Sequence, residues 1–167
     1  MFFRLNFFLI FFIYSCQPVE LISHSEFNTS RLDKISIVTK NISINSKYNP
    51  IFSDENIEDQ LNTKPLEMLE EWINDNIIKF GNQNNLVINI LDASIIKREI
   101  DNKDGKKYEE KTIFQYEVFF LVEYELYNDS NYLIANTTVE SSRSTTSQKY
   151  ISLNESEMII DDLLDKA

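Results

Sequence analysis

Three stretches predict an α+β two-layer sandwich, a four-stranded, mostly antiparallel sheet with two helices on one face. The first is Thr112 to Tyr127, TIFQYEVFFLVEYELY. Read with a period of two, it puts Phe114, Tyr116, Val118, Phe120, Val122, Tyr124 and Leu126 on one side. Gln115, Glu117, Glu123 and Glu125 take the other, broken by Phe119 and Leu121. That is the pattern of a long, half-buried strand whose apolar side needs a cover. The second stretch, Thr63 to Phe80, carries Leu66, Leu69, Ile73 and Ile77 at helical spacing. The third, Ser152-Leu153-Asn154-Glu155, is a capping box at the start of a last helix. Placed in order with the β-rich segments between them, these give β-α-β-β-β-α, which fits helices gathered on one side of a sheet.

Each element has its own local signal. Lys34 to Ile44 (KISIVTKNISI) is a first strand: Ile35 and Ile37 share one face and Val38, Ile42 and Ile44 the other, with a bulge where the parity changes. Asn45 to Asn62 is a loop holding Pro50 and the acidic run Asp54, Glu55, Glu58 and Asp59. These carboxylates lack the D-x-[DN]-x-[DN]-G spacing of a calcium loop and are expected to be a solvated face. In the helix, Thr63 is placed as N-cap, Pro65 in the first turn, Glu67 at the positive end of the dipole, and Gly81 as the left-handed residue that ends it. Trp72 and Phe80 flank the apolar stripe, Trp72 as a sheet-packing residue. Leu86 to Ile100 is the second strand. Leu86, Ile88 and Ile90 face one way and Leu91, Ala93 and Ile95 follow on opposite parity, so a bulge is expected near Leu91. Asp104-Gly105 marks a hairpin turn and Asn128 to Asn131 another. Tyr132 to Tyr150 begins as a strand, with Leu133, Ala135, Thr137 and Val139 on one face. It then fades into hydroxyl residues around Arg143, as an edge strand or a solvent-exposed extension. Met158, Ile159, Ile160, Leu163 and Leu164 form the apolar side of the last helix, with Asp161, Asp162 and Asp165 toward water.

Composition narrows the function. The net charge is −11, the wrong sign for a chain that must displace counterions from phosphates, so no nucleic-acid partner is expected. Lys103, Lys106 and Lys107 are interleaved with acids and read as a solvated turn. One cysteine forbids an intrachain disulfide, and one histidine, His24, cannot build a zinc site without more cysteines. Two glycines leave no room for a Gly-rich phosphate loop. Ser141, Ser142, Ser144 and Ser147 have no base beside them in sequence and no G-x-S-x-G elbow. The expectation is a protein without catalytic residues, cofactor or metal.

Residues 1–15 read as a signal peptide: Arg4, an apolar run from Leu5 to Tyr14 too short to span a bilayer, then a small residue. The run ends Ile13-Tyr14-Ser15-Cys16. This resembles the lipobox of bacterial lipoproteins, with Tyr14 departing from the small residue usual there. The resemblance implies cleavage before Cys16, a diacylglycerol on its sulfur and a further acyl chain on the new amino terminus. Gln17 is not the aspartate that retains such proteins at the inner membrane, which implies an outer-membrane anchor facing the periplasm. Residues 16–33 would be a polar tether and 34–167 a single periplasmic domain.

With a lipobox ahead of it, the β-α-β-β-β-α order resembles small envelope lipoproteins of Gram-negative bacteria, among them the LPS-assembly lipoprotein and the auxiliary lipoproteins of ABC-type transporters. The residues that carry this are Tyr48-Asn49-Pro50, Pro65, Trp72, Asp92-Ala93-Ser94, Ser142-Arg143-Ser144 and Ser152-Leu153. It implies an accessory or scaffold subunit of an envelope assembly or transport system, with an envelope protein as partner. The competing expectation is an amphiphile-binding module using the space between helices and sheet. A packed core between Trp72, Phe120 and Ile159 would exclude it. An edge strand at Tyr132 to Tyr150 could also accept a strand from a partner.

Overall fold

The computed structural model describes residues 34–103, 105–106, 108 and 110–167. The signal peptide, the tether and Cys16 lie outside the described residues, as do His24 and Asp104. The elements are β1 (Ile35–Ile37), β2 (Asn41–Ser46), a 3-10 turn (Glu58–Gln60), α1 (Pro65–Asn76), β3 (Ile77–Lys79), β4 (Asn85–Asp101), β5 (Thr112–Tyr127), β6 (Leu133–Ser147) and α2 (Leu153–Asp165). The main sheet runs β2-β4-β5-β6. β2 is parallel to β4, and the two other pairs are antiparallel. β1 and β3 form a separate two-stranded parallel sheet. The α+β expectation holds, with this small sheet as an addition.

β5 occupies the residues its alternation predicts, and its apolar face is the floor of the core. Around Ile73 and Ile77, the sheet residues Leu86, Ile88, Ile90, Ala93 and Val122 are buried together. Around Ile160, Leu163 and Leu164, the sheet contributes Ile95, Tyr116 and Val118. Both helices therefore cover the same side. Each fully buried Ile or Val stabilises the fold by about 1.5–3 kcal/mol relative to exposure. The bulge falls between Ile90 and Asp92, so Ile88 and Ile90 before it and Ala93 and Ile95 after it all face the helices despite their change of parity.

Three expectations are corrected. Lys34 to Ile44 is two strands in two sheets, not one bulged strand. The fully buried Thr39 breaks it, turning its hydroxyl onto the carbonyls of Asn41 and Asn84 at 2.9 and 3.0 Å. The helix is also shorter than Thr63 to Phe80. Its N-cap is Lys64, with no side-chain cap, and it ends at Asn76, where Ile77 turns extended (φ −98°, ψ 110°). The β-branched Ile77 and Ile78 pair with Ile35 and Ser36, so strand pairing takes over residues whose spacing also fits a helix. Phe80 is consequently 73% exposed. Gly81 has positive φ (137°), but it follows β3 and is not the end of the helix. Third, the acidic loop is not wholly solvated. Glu58 is 4% exposed, taking the Tyr48 phenol proton in a hydrogen bond and accepting from Asn56 Nδ2 at 2.9 Å. Burial first, and then this bond, push the Tyr48 phenol above its ordinary value.

The predicted turn at Asn128 to Asn131 and the cap are present. Asn128 Oδ1 accepts from the amides of Ser130 and Tyr132, both at 2.9 Å, and Asn131 takes a positive φ of 61°. Ser152 and Glu155 exchange both bonds of the capping box. The Ser152 amide and hydroxyl hold the Glu155 carboxyl below its usual value.

Candidate functional site: a free strand and the trough beside it

β6 is a strand along fifteen residues, including the hydroxyl-rich half that fades in sequence. It pairs with β5 from Leu133 to Ser147, and among the described residues nothing pairs with its other side. Its composition explains both facts. Thr137, Thr138, Val139, Thr145 and Thr146 suit extended backbone, yet only Leu133, Ile134 and Val139 are large and apolar, too few to draw a helix along its whole length. α1 settles on β4, α2 lies along β5 and the second half of β6, and the first half of β6 is exposed on both faces.

Hydrogen bonds join β6 to the end of α2. Ser141 Oγ donates to the Ala167 carbonyl at 2.6 Å, and the Arg143 guanidinium donates to the Lys166 carbonyl at 2.8 Å. Between this contact and α1 lies a trough of about 380 Å³. Leu69 and Trp72 of α1, Phe120 and Tyr124 of β5, and Val139 and Ser141 of β6 are in its walls. It is the size of a small-ligand site and mainly apolar. Its apolar lining continues onto the free strand, because Val139 is 51% exposed on the same face. Trp72 and Phe120 thus stand around an opening. Ile159 packs with the α2 half of the core. Phe120 packs against both halves of the core, with Trp72 on one and Ile159 on the other, and also lines the trough.

The opposite face of the sheet beside β6 carries the acids Glu117, Glu123 and Glu125, with Phe119 and Leu121 between them. Glu140 lies across from Leu121, and Thr138 lies across from Glu123. Asn89 donates to Glu123 at 3.0 Å and to Glu125 at 2.9 Å, and Lys47 stands 3.8 Å from Glu123. Exposed Glu140 makes no ion pair or hydrogen bond among the described residues.

Of the four serines with no base beside them in sequence, Ser141 and Ser147 donate to backbone carbonyls, Ser147 to Gln148 at 3.0 Å. Among the described residues no group of three His, Cys, Asp or Glu side chains is placed to hold a metal ion. Lys103 and Lys106 are exposed, as a surface turn requires. Sequence reasoning anticipated the edge strand and a space between helices and sheet, but not that this space opens onto β6. Its signal was the lack of large side chains on β6 facing Phe120 and Tyr124, which only the register reveals.

No family model and no curated protein sequence matches the chain. Two solved structures that it is similar to are a minor lipoprotein from Acinetobacter baumannii and the rare lipoprotein B from Shewanella oneidensis. The first is 13% identical with a TM-score of 0.39, covering 78% of this chain and 85% of that one. The second is 14% identical with a TM-score of 0.38, covering 76% and 86%.

Proposed function

We propose that the chain is a non-enzymatic, lipid-anchored periplasmic lipoprotein. It acts as an accessory or scaffold subunit of an envelope assembly or transport system, held at the outer membrane by acyl chains on Cys16. The observation that carries this is the position of Cys16. The only cysteine in the chain stands where the apolar leader ends and a polar segment begins. Two or more acyl chains, at about 0.8 kcal/mol per buried CH₂, suffice for stable anchoring. A subunit role, not a catalytic one, is supported by a long strand free to meet a partner and by serine hydroxyls bonded to carbonyls. The test is membrane fractionation of wild type and Cys16→Ser, with mass measurement of the mature amino terminus. Wild type is expected in the outer-membrane fraction with an acylated cysteine, and the variant in the soluble periplasm. A soluble, unmodified wild type would overturn the anchor.

The alternative, an amphiphile-binding module, draws on the apolar trough. It requires a lysophospholipid or similar single-chain lipid to bind saturably at Trp72.

A further inference from the structure

We propose that β6 and the trough form one peptide-recognition site. It takes an extended segment of another protein, added as a fifth strand, with basic side chains on the acidic face and one large apolar side chain in the trough. The proposal rests on the reading of the chain as an accessory subunit and names the chemistry of its partner.

Three observations converge. First, the outer edge of β6, fifteen residues and roughly 50 Å at the usual rise, has no backbone partner among the described residues and no Pro, Gly or Lys, with Glu140 and Arg143 its only charges. Backbone pairing along such an edge gives affinity, and pockets for alternate side chains give selectivity. Second, a strand laid beside β6 must point alternate side chains to opposite faces. Those on the helix side pass Val139 and Ser141, which are already in the wall of the trough. A single Phe or Leu there can reach Trp72 and Phe120. Third, side chains on the other face pass Glu140, whose carboxylate has no partner among the described residues; Leu121 is one strand behind it and Glu123 is behind the next same-face residue, Thr138. A Lys or Arg at that position has a carboxylate opposite it, worth about 0.2–1 kcal/mol as a cross-strand pair.

A second copy of the chain fits this site less well. Its own β6 presents Thr137, Val139, Ser141, Arg143 and Thr145 on the trough side, with Val139 as the single apolar side chain among them and no aromatic or Leu. It would also bring a second net charge of −11. An acyl chain would fill the trough but would use neither the free backbone nor Glu140.

Trp72 is the only tryptophan, so its emission reports the trough directly. The probe is a blocked heptapeptide, Lys-Val-Lys-Phe-Lys-Val-Lys, titrated into the full chain. A saturable change in Trp72 emission is expected, and replacing the Phe by Ser should weaken binding about tenfold, the loss of roughly 1.4 kcal/mol. N-methylation of one alternate set of peptide amides should abolish binding while the other set is tolerated, the signature of strand addition. Glu140→Lys is an exposed change and should reverse the preference toward Glu-Val-Glu-Phe-Glu-Val-Glu. Several results would overturn the proposal. These are equal binding of a scrambled peptide, indifference to which amides are methylated, or an emission change produced by lysophospholipid that the peptide cannot displace. A dilution-sensitive dimer that occupies β6 would also overturn it. None of these outcomes bears on Cys16, so failure here leaves the anchor reading to its own test.

Discussion

The two margins of the sheet are finished differently. On one side β2 is six residues of Asn, Ile and Ser, covering only the first part of β4. The rest of β4 is closed by the loop that follows. Lys97 donates to the Glu55 carbonyl at 2.7 Å, the Ile57 amide donates to Ile95 at 3.3 Å, and Asn56 bridges Ile96. Ile57 then enters the core and Glu58 is buried behind it. On the other side, among the described residues, no backbone partner meets the free edge of β6, and the strand holds no proline or lysine. Edges are ordinarily shortened, charged or covered to prevent unwanted pairing. The closed margin is therefore part of the fold's stability, while the open margin is surface with the chemistry of a strand.

Substitutions can break or sharpen this contrast. The largest effect is expected at Ile95, fully buried beside the closing loop. Ile95→Ala should cost about 2–5 kcal/mol, while Val139→Ala on the open strand should stay within about 0.5 kcal/mol. Urea midpoints would show it, and equal losses would mean that β6 belongs to the core after all.

Next comes Tyr48→Phe, which removes a donor from buried Glu58 and should cost about 1–3 kcal/mol. It also carries a pH signature. The folded phenol sits above its unfolded value, so its stabilisation is complete below the ordinary tyrosine range and is lost as pH rises through and beyond it. The variant should flatten that alkaline decline in denaturation curves. An unchanged alkaline limb would remove Tyr48 from the closed margin.

The smallest effect is expected at Ser152→Ala, about 1 kcal/mol from the lost cap of α2. Here the sign is opposite. The folded Glu155 carboxyl lies below its unfolded value, so its contribution is present above the ordinary glutamate range and disappears as pH falls through it. Thermal melts across the acid range should narrow the gap between variant and wild type only by the Ser152 hydroxyl's bond to the Glu155 carboxylate, leaving the loss of its bond to the Glu155 amide at every pH; a gap that closes completely would exclude the cap as its cause. Because α2 meets β6 at its far end, the variant also asks whether the open strand depends on the helix at all.

What the sequence revealed and what it hid follow one physical line. β5, the bulge at Leu91 and the Ser152 cap are set by neighbours a few residues away, and they were legible as period, parity break and motif. The split at Thr39, the early end of α1 and the burial of Glu58 are set by residues far along the chain. Ile77 becomes a strand because Ile35 is there to pair with it, and Glu58 is tolerated inside because Tyr48 and Asn56 bond it. The trough belongs to the same class. It exists because β6 ran out of large side chains opposite residues of β5 that still carry them. Edge character could be read from composition, but the space beside it required the register.

The parallel pairing of β2 with β4 also orders events in time. Asn41 meets Asn85 across 44 positions, whereas β4, β5 and β6 follow one another through turns. Closing the longer span carries the greater entropy cost, so the three-stranded meander can assemble while β2 is still searching for its place. During that interval β4 is as bare as β6, and the chain has two open margins instead of one. The hazard of pairing with the wrong neighbour is thus greatest before the last long-range contact is made. Crowding during synthesis would test the chain at that moment more severely than anything the finished surface meets.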